Sequence, residues 1–274
     1  MKSMDLSEKR FAIVGAGNMG LALLRGLLDS RSLHPQNITV RNKRKERSDL
    51  LVQKYGVRTT ETNAECVKGA DVVILSIKPQ IFSRVLEEMK ADVQNALIIS
   101  VAAGISTRRI EHEIGGAPRV VRAMPNTPAV IKEGATAICA GEYANEDDVQ
   151  LAQTVFAKVG RVVVVDEVHL DAVTGLSGSG PAYIFLIIEA FADAGVKVGL
   201  SREIAMELGV QTIQGSARML QQLGEHPGKL KDQVTSPGGT AIAGLHTLEE
   251  GGLRTTIMNA VEAATNRAKE LGDS

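Results

Sequence analysis

The chain has 274 residues, 44% hydrophobic and 23% charged, which suits a two-domain globule with a sizeable core and excludes a disordered or fibrous chain. A formal charge of -1 gives no general attraction to nucleic acid or to acidic membranes, and the absence of Trp beside only 5 Phe and 3 Tyr leaves few platforms for stacking single-stranded bases. Cys66 and Cys139 stand far apart among apolar neighbours and read as buried free thiols; no Cys-x-x-Cys or His-Glu-x-x-His spacing offers a metal site.

Residues 11–20 read FAIVGAGNMG, an apolar run that breaks at Gly15, Gly17 and Gly20 before the helical pattern LALLRGLL. A strand that turns sharply into a helix in this way fits a dinucleotide pyrophosphate. Gly15 permits the tight turn, Gly17 lets bare backbone approach the ligand, and Gly20 lets the helix pack closely on the strand. Asn18 and Met19 belong to the same fingerprint, at a helix start whose unpaired N–H groups face an anion.

From residue 10 to 165, β-branched runs (FAIV, ITV, VVILSI, ALIISV, RVVRA, ATAICA, RVVVV) alternate with amphipathic segments. That alternation predicts an α/β unit of Rossmann type, a mostly parallel sheet with helices on both faces, with the dinucleotide across the carboxyl ends of the strands where their order reverses. The second strand ends about 20 residues past the fingerprint, where NAD-specific folds place an acid on the ribose hydroxyls. Here Arg41, Asn42 and Lys43 open a basic run to Arg47, which suits the 2′-phosphate of NADP; the other reading is a solvated start to the next helix. The expected cofactor is NADPH, with NADH left open as an accepted alternative.

Three further loops follow strands. Ser76, Ile77, Lys78 and Pro79 form the first, with Pro79 suited to the first turn of a helix and Lys78 equally readable as a surface residue. In the second, Ser100-Val101-Ala102-Ala103-Gly104, small residues such as Ala103 allow a flat ring to lie against the backbone. In the third, Pro125 and Pro128 bracket Asn126, which either fixes an amide beside a nicotinamide or makes an ordinary Asx turn.

After Val165 the β-branched runs stop and glycine-punctuated helices follow, at 167–175, 179–194, 201–223, 240–250 and 253–271. The expected boundary lies near Asp166, with a dinucleotide-binding domain over 1–166 and a helical dimerisation and substrate domain over 167–274. Helices apolar on more than one face, such as AYIFLIIEAFADAGV, predict a homodimer or higher homo-oligomer through this half. Ser179 reads as a possible N-cap before Pro181, or as a ligand contact. Ser236, Gly238, Gly239, Thr240 and Ala241 precede or open a helix and make a second anion site, sized for a carboxylate.

Taken in order, IVGAGNMG, SIKPQ, SVAAGI, RAMPNTP, GLSGSGPAY and VTSPGGTAIAGLHTLEEGG resemble the pyrroline-5-carboxylate reductase family through both halves. The resemblance implies an NADPH-binding domain, a helical dimerisation domain and reduction of 1-pyrroline-5-carboxylate to L-proline, the last step of proline biosynthesis. It implies that Asn63 and the Ser76 to Pro79 loop touch the cofactor and that the substrate lies between the nicotinamide and the Ser236 to Thr240 loop, near the dimer interface. It also sets Glu167 near the substrate, although an acid at a helix start also satisfies the helix dipole. Ser236, Thr240 and Glu167 are the candidate catalytic residues. Ala241 departs from the family pattern, which usually carries a Thr there, thought to contact the substrate. Thr240 is adjacent, but on a helix its side chain points about 100° away. Loss of one hydrogen bond of roughly 1 to 3 kcal/mol slows the reaction rather than changing its type. Two alternatives stay open: a reductase for another cyclic imine or keto acid, and a non-catalytic NADP-binding paralogue.

The chemistry itself asks for little side-chain machinery. A ring imine takes its proton from solvent, so placement and charge suffice, and no His-acid pair stands out among His34, His112, His169, His226 and His246. No continuous apolar run reaches the ~18 residues of a membrane span and MKSMDLSEKR lacks the apolar core of a secretory signal, so the expectation is a cytoplasmic protein without membrane or nucleic-acid partners.

Overall fold

Each predicted β-branched run becomes a strand, and strict alternation sends its side chains to opposite faces of one sheet. The computed structural model describes residues 4–272. It falls into two compact units, one of residues 4–179 with 263–272 and the other Gly180–Glu262.

The first unit is built as β1 (Phe11–Val14), α1 (Asn18–Asp29), β2 (Ile38–Arg41), α2 (Lys45–Tyr55), β3 (Arg58–Thr59), α3 (Asn63–Val67), β4 (Val72–Leu75), α4 (Phe82–Met89), β5 (Leu97–Ser100), α5 (Thr107–Ile114), β6 (Arg119–Met124), β7 (Gly134–Ala140), α6 (Glu146–Phe156), β8 (Gly160–Val164) and α7 (Leu170–Val173). The strand order is β3-β2-β1-β4-β5-β6-β7-β8, parallel except for the antiparallel β6–β7 pair. Phe11, Ile13, Val40, Ile74 and Ile99 pack on one face against Leu23, Leu24 and Leu27 of α1. Val14, Val73, Leu75 and Ile98 pack on the other against Phe82, Leu86 and Met89 of α4. β1, β4 and β5 are buried along their whole length, as parallel strands covered on both faces must be. Each large side chain so removed from water contributes roughly 1.5–3 kcal/mol. The two-residue β3 was not legible, because Arg58-Thr59 has no apolar run to announce it.

Both cysteines are buried and free. Burial is the main cause that pushes each thiol up to about 12.

The second unit holds α8 (Gly180–Lys197), α9 (Arg202–Leu223), α10 (Pro227–Gln233), α11 (Thr240–Glu250) and the first half of α12 (Leu253–Gly272), whose second half belongs to the first unit. Small residues bring α8 and α9 together: a Cβ on Gly195 would lie 2.5 Å from the Ala205 Cβ, and one on Gly209 would lie 3.3 Å from the Phe191 Cβ. Ala192 and Ala205 are buried in this unit, whereas Phe185 is 65%, Leu186 67% and Met258 63% exposed.

Two local readings change. Ser179 does not cap a helix: it has helical φ and ψ and its N–H donates to the Thr174 carbonyl at 2.8 Å, inside a wide π turn over Thr174–Gly178. The wide turn makes room for Pro181, whose ring would crowd the carbonyl four residues back in a regular helix. The helix Glu167–Lys197 that results is long and apolar enough, by length and composition alone, to cross a membrane, which a search for unbroken apolar runs does not detect. It carries Glu189 and Asp193, and Gly195 meets α9.

Candidate active site

The three glycines at the β1–α1 turn have three different reasons to be glycine. Gly15 has φ +97°, and a Cβ there would lie 2.2 Å from the Ser76 carbonyl oxygen. Since β1 has β2 on one side and β4 on the other, this crowded point is also where the strand order reverses. A Cβ on Gly20 would lie 2.2 Å from the Gly15 carbonyl oxygen, so the helix could not approach the turn. A Cβ on Gly17 would meet no other part of the described residues within 4 Å, and its φ of -71° suits any residue. Nothing among the described residues requires glycine there, and the bare position fits a ligand that approaches the backbone. No side chain caps α1 and no acid stands in its first turn, which leaves the positive helix end at Asn18 and Met19 for an anion.

One strand away, the carbonyl of Arg41 accepts from Gly15 N at 3.0 Å. The Arg41 guanidinium donates through Nη1 to the Asn42 carbonyl, and its Nε is buried without a hydrogen-bond partner among the described residues. Asn42 Oδ1 accepts from Arg44 N at 3.1 Å, an Asx turn that holds the segment in place before α2 begins. Arg41, Asn42, Lys43, Lys45, Ser48, Thr59 and Thr60 line a cleft of ≈ 330 Å³, with Asp49 and Glu61 on its wall. Three cations, two hydroxyl-bearing threonines and an orphaned guanidinium N–H fit a phosphate on an adenosine ribose.

The loops after β4 and β5 lie at the same ends of the sheet. Ser76 N donates to the Val14 carbonyl at 2.9 Å, Ile77 lies beside Gly15, and Lys78 is exposed just before a 3₁₀ turn, Pro79–Ile81, that Pro79 opens as its residue type predicts. Ala103 is exposed in the loop between β5 and α5. Next to it Gly104 has φ +74°, and a Cβ there would lie 3.2 Å from the Leu271 carbonyl oxygen and from Gly272 N. Asn63 starts α3 and donates to Glu88 Oε2 at 2.5 Å, an α3–α4 tie. The Asn126 amide accepts from Ala135 N at 2.8 Å and donates to the Ser177 carbonyl at 3.1 Å. Both ends therefore bind protein, and neither bond is the local Asx turn.

Glu167 opens a 3₁₀ turn after β8, yet the helix start it satisfies is a different one. Its Oε1 accepts from Thr107 N at 2.8 Å and its Oε2 from Thr107 Oγ1 at 2.6 Å, so the carboxylate sits on the N-terminus of α5. Arg122, 8% exposed, donates to Glu167 Oε1 at 3.1 Å and reaches Asp171 Oδ1 at 3.8 Å. One turn further along α5, Glu111 is buried and accepts from Glu142 N at 2.8 Å; burial pushes its carboxyl above the usual range.

In the second unit, Ser236 to Thr240 fold as a tight turn into α11. Gly238 has φ +65°, Gly239 N donates to the Ser236 carbonyl at 3.1 Å, and a Cβ on Gly239 would lie 2.2 Å from Ser236 Oγ. No side chain caps α11, Ser236, Gly238 and Thr240 are exposed, and Ala241 is half-buried. A bare helix start beside two hydroxyls can hold a small carboxylate.

The sequence model described as pyrroline-5-carboxylate reductase dimerisation matches residues 167–271, and that described as NADP oxidoreductase coenzyme F420-dependent matches residues 10–104. Pyrroline-5-carboxylate reductase of Arabidopsis thaliana is 46% identical over 278 residues, covering 100% of both chains. The chain belongs to the pyrroline-5-carboxylate reductase family. The structure of the Coxiella burnetii member superposes with a TM-score of 0.92 at 40% identity, covering 97% of this chain and 99% of that one. A Plasmodium falciparum member, solved with NADP bound, gives 0.87 at 33% identity over the same shares.

Within this family frame, the predicted residues at β1, β2, β4 and β5 gather at one end of the sheet, while Ser236 to Ala241 form their own turn in the second unit. Sequence reasoning missed Thr107 and Arg122. Arg122 carried a usable signal: a guanidinium inside the apolar strand RVVRAM must find a buried acid. Thr107 carried none, because the partner that gives it meaning lies 60 residues away.

Proposed function

We propose that this chain reduces 1-pyrroline-5-carboxylate to L-proline with NADPH, as a cytoplasmic homodimer formed through its helical unit. The observation that carries the reading is a glycine cradle with an unexplained gap at Gly17, one strand from a β2 end that carries Arg41, Asn42 and Lys43 instead of an acid.

NADPH supplies the hydride that saturates the C=N carbon. The rest falls to the chain's own groups. The bare backbone of α1 faces the pyrophosphate, and Arg41 and Lys43 neutralise the 2′-phosphate. Ser76 to Pro79 and Ala103 form the wall against the nicotinamide. Ser236, Gly238, Gly239 and Thr240 hold the substrate carboxylate by hydroxyl and backbone N–H groups. The ring nitrogen takes its proton from water, so rate comes from holding two reactants in register.

The dimer is supported by the second unit's own shortage of core, since its large apolar side chains face outward while alanine and glycine make the helix contacts. The test is loss of NADPH absorbance with pyrroline-5-carboxylate, other cyclic imines and 2-oxo acids as separate substrates. The reading expects turnover with pyrroline-5-carboxylate well above the others, and more efficient use of NADPH than of NADH. Cofactor binding without pyrroline-dependent loss would overturn it.

A further inference from the structure

The six-residue loop from Val101 to Ser106 carries Ala103 and is fixed at three places. At its start Val101 N donates to the Leu75 carbonyl at 3.1 Å and Ala102 N to Ser100 Oγ at 3.3 Å, which ties it to β4 and β5. In its middle, Gly104 lies against Leu271 and Gly272 at the end of α12. At its end, Ser106 caps α5 by accepting from Arg109 N at 3.2 Å, and Glu167 takes both the N–H and the hydroxyl of Thr107.

The third attachment is the unusual one. Glu167 comes from a segment 60 residues downstream, both of its oxygens are engaged by Thr107, and Arg122 adds a charged donor from the floor of the sheet while also facing Asp171. A carboxylate so engaged is arranged to hold structure, and what it holds is the far end of the loop that bears Ala103.

We propose that Glu167 is a positioning residue, which with Thr107 and Arg122 clamps the Val101 to Ser106 loop at the nicotinamide end of the cofactor cradle, and does not itself act on the substrate. This rests on the reductase reading given above. The clamp leaves the phosphate contacts at β1 and β2 untouched, so its loss loosens ring placement rather than cofactor capture. Misplacement of a reacting ring by about an ångström costs on the order of 100-fold in rate.

The experiment compares Glu167→Ala, Glu167→Gln and Thr107→Val in the full-length protein. Glu167→Ala is expected to lower kcat by about 10- to 100-fold with the NADPH dissociation constant changed less than about 3-fold. Glu167→Gln, which can still accept from Thr107 N and donate to Thr107 Oγ1, is expected to recover most of kcat and to keep the wild-type shape of the pH profile. Thr107→Val is expected to lower kcat without altering that shape, and the Thr107→Val/Glu167→Ala double variant to be no worse than Glu167→Ala. Amides of residues 101–107 should exchange faster with solvent in Glu167→Ala while those at the β1–α1 turn do not. Glu167→Gln as inactive as Glu167→Ala, with a limb of the pH profile lost and unchanged exchange in the loop, would overturn the proposal in favour of a proton donor. Should Glu167→Ala fail to fold, Glu167→Gln and Thr107→Val decide by the same pH profile and exchange. If the wild type turns over no pyrroline-5-carboxylate, the functional reading fails, while loop exchange and NADPH binding still report on the clamp.

Discussion

At the scale of single residues, a glycine tells most when one asks what a methyl group would strike. Gly15 and Gly20 each have a carbonyl oxygen 2.2 Å from the missing Cβ, whereas Gly17 has nothing within 4 Å. Gly15→Ala and Gly20→Ala should each cost about 1–3 kcal/mol and lower the melting temperature, because backbone cannot yield as a flexible side chain can. Gly17→Ala should leave the melting temperature unchanged or slightly raised, since alanine fits its φ and narrows the unfolded ensemble. It should nevertheless weaken NADPH binding by 10-fold or more, roughly the effect of a methyl placed where the ligand must touch backbone. Thermal unfolding and a fluorescence titration on the same three variants check this. The spacing of these glycines was readable in the sequence; which of them serves the fold and which the ligand was not, since that depends on Ser76, some 60 residues distant. Glu167 makes the same point from the other side. An acid at a helix start was readable, but the helix it caps, α5, is brought to it by the sheet.

At the scale of elements, strands announced themselves because parallel strands covered on both faces must be continuously apolar, and β1, β4 and β5 are. β3, at the sheet edge, and α10, a single short helix opened by Pro227, were missed because neither needs an apolar pattern. The Gly-Ser-Gly stretch before Pro181 looked like a break and is instead a wide turn within a helix, since proline tolerates a π turn better than it tolerates a regular one. Loop roles were legible only in part. Asn126 stood out between two prolines, yet its amide ties β7 to the Ser177 carbonyl, a pairing that no local spacing reveals.

At the scale of the whole molecule, the unit of residues 4–179 with 263–272 buries an extensive core of its own, whereas Gly180–Glu262 buries little beyond Ala192 and Ala205. The helices of the second unit expose Phe185, Leu186, Leu208 and Met258, and large apolar side chains left in water disfavour a solitary chain. At about 10 μM the full-length protein should therefore sediment as a dimer or larger, with a melting temperature that rises with concentration. The double variant Phe185→Asp/Leu186→Asp should dissociate it and abolish activity. A fully active wild-type monomer would refute the assignment of these helices to assembly.

If NADPH reduces the imine carbon of pyrroline-5-carboxylate directly, as proposed, its hydride becomes a C–H bond of proline. NADPH deuterated at the reactive face of nicotinamide C4, supplied with unlabelled pyrroline-5-carboxylate in ordinary water, tests it by mass spectrometry of the proline formed. Direct transfer places one deuterium at C5 of proline. Unlabelled proline, with the deuterium released to water, or no proline at all, would contradict it.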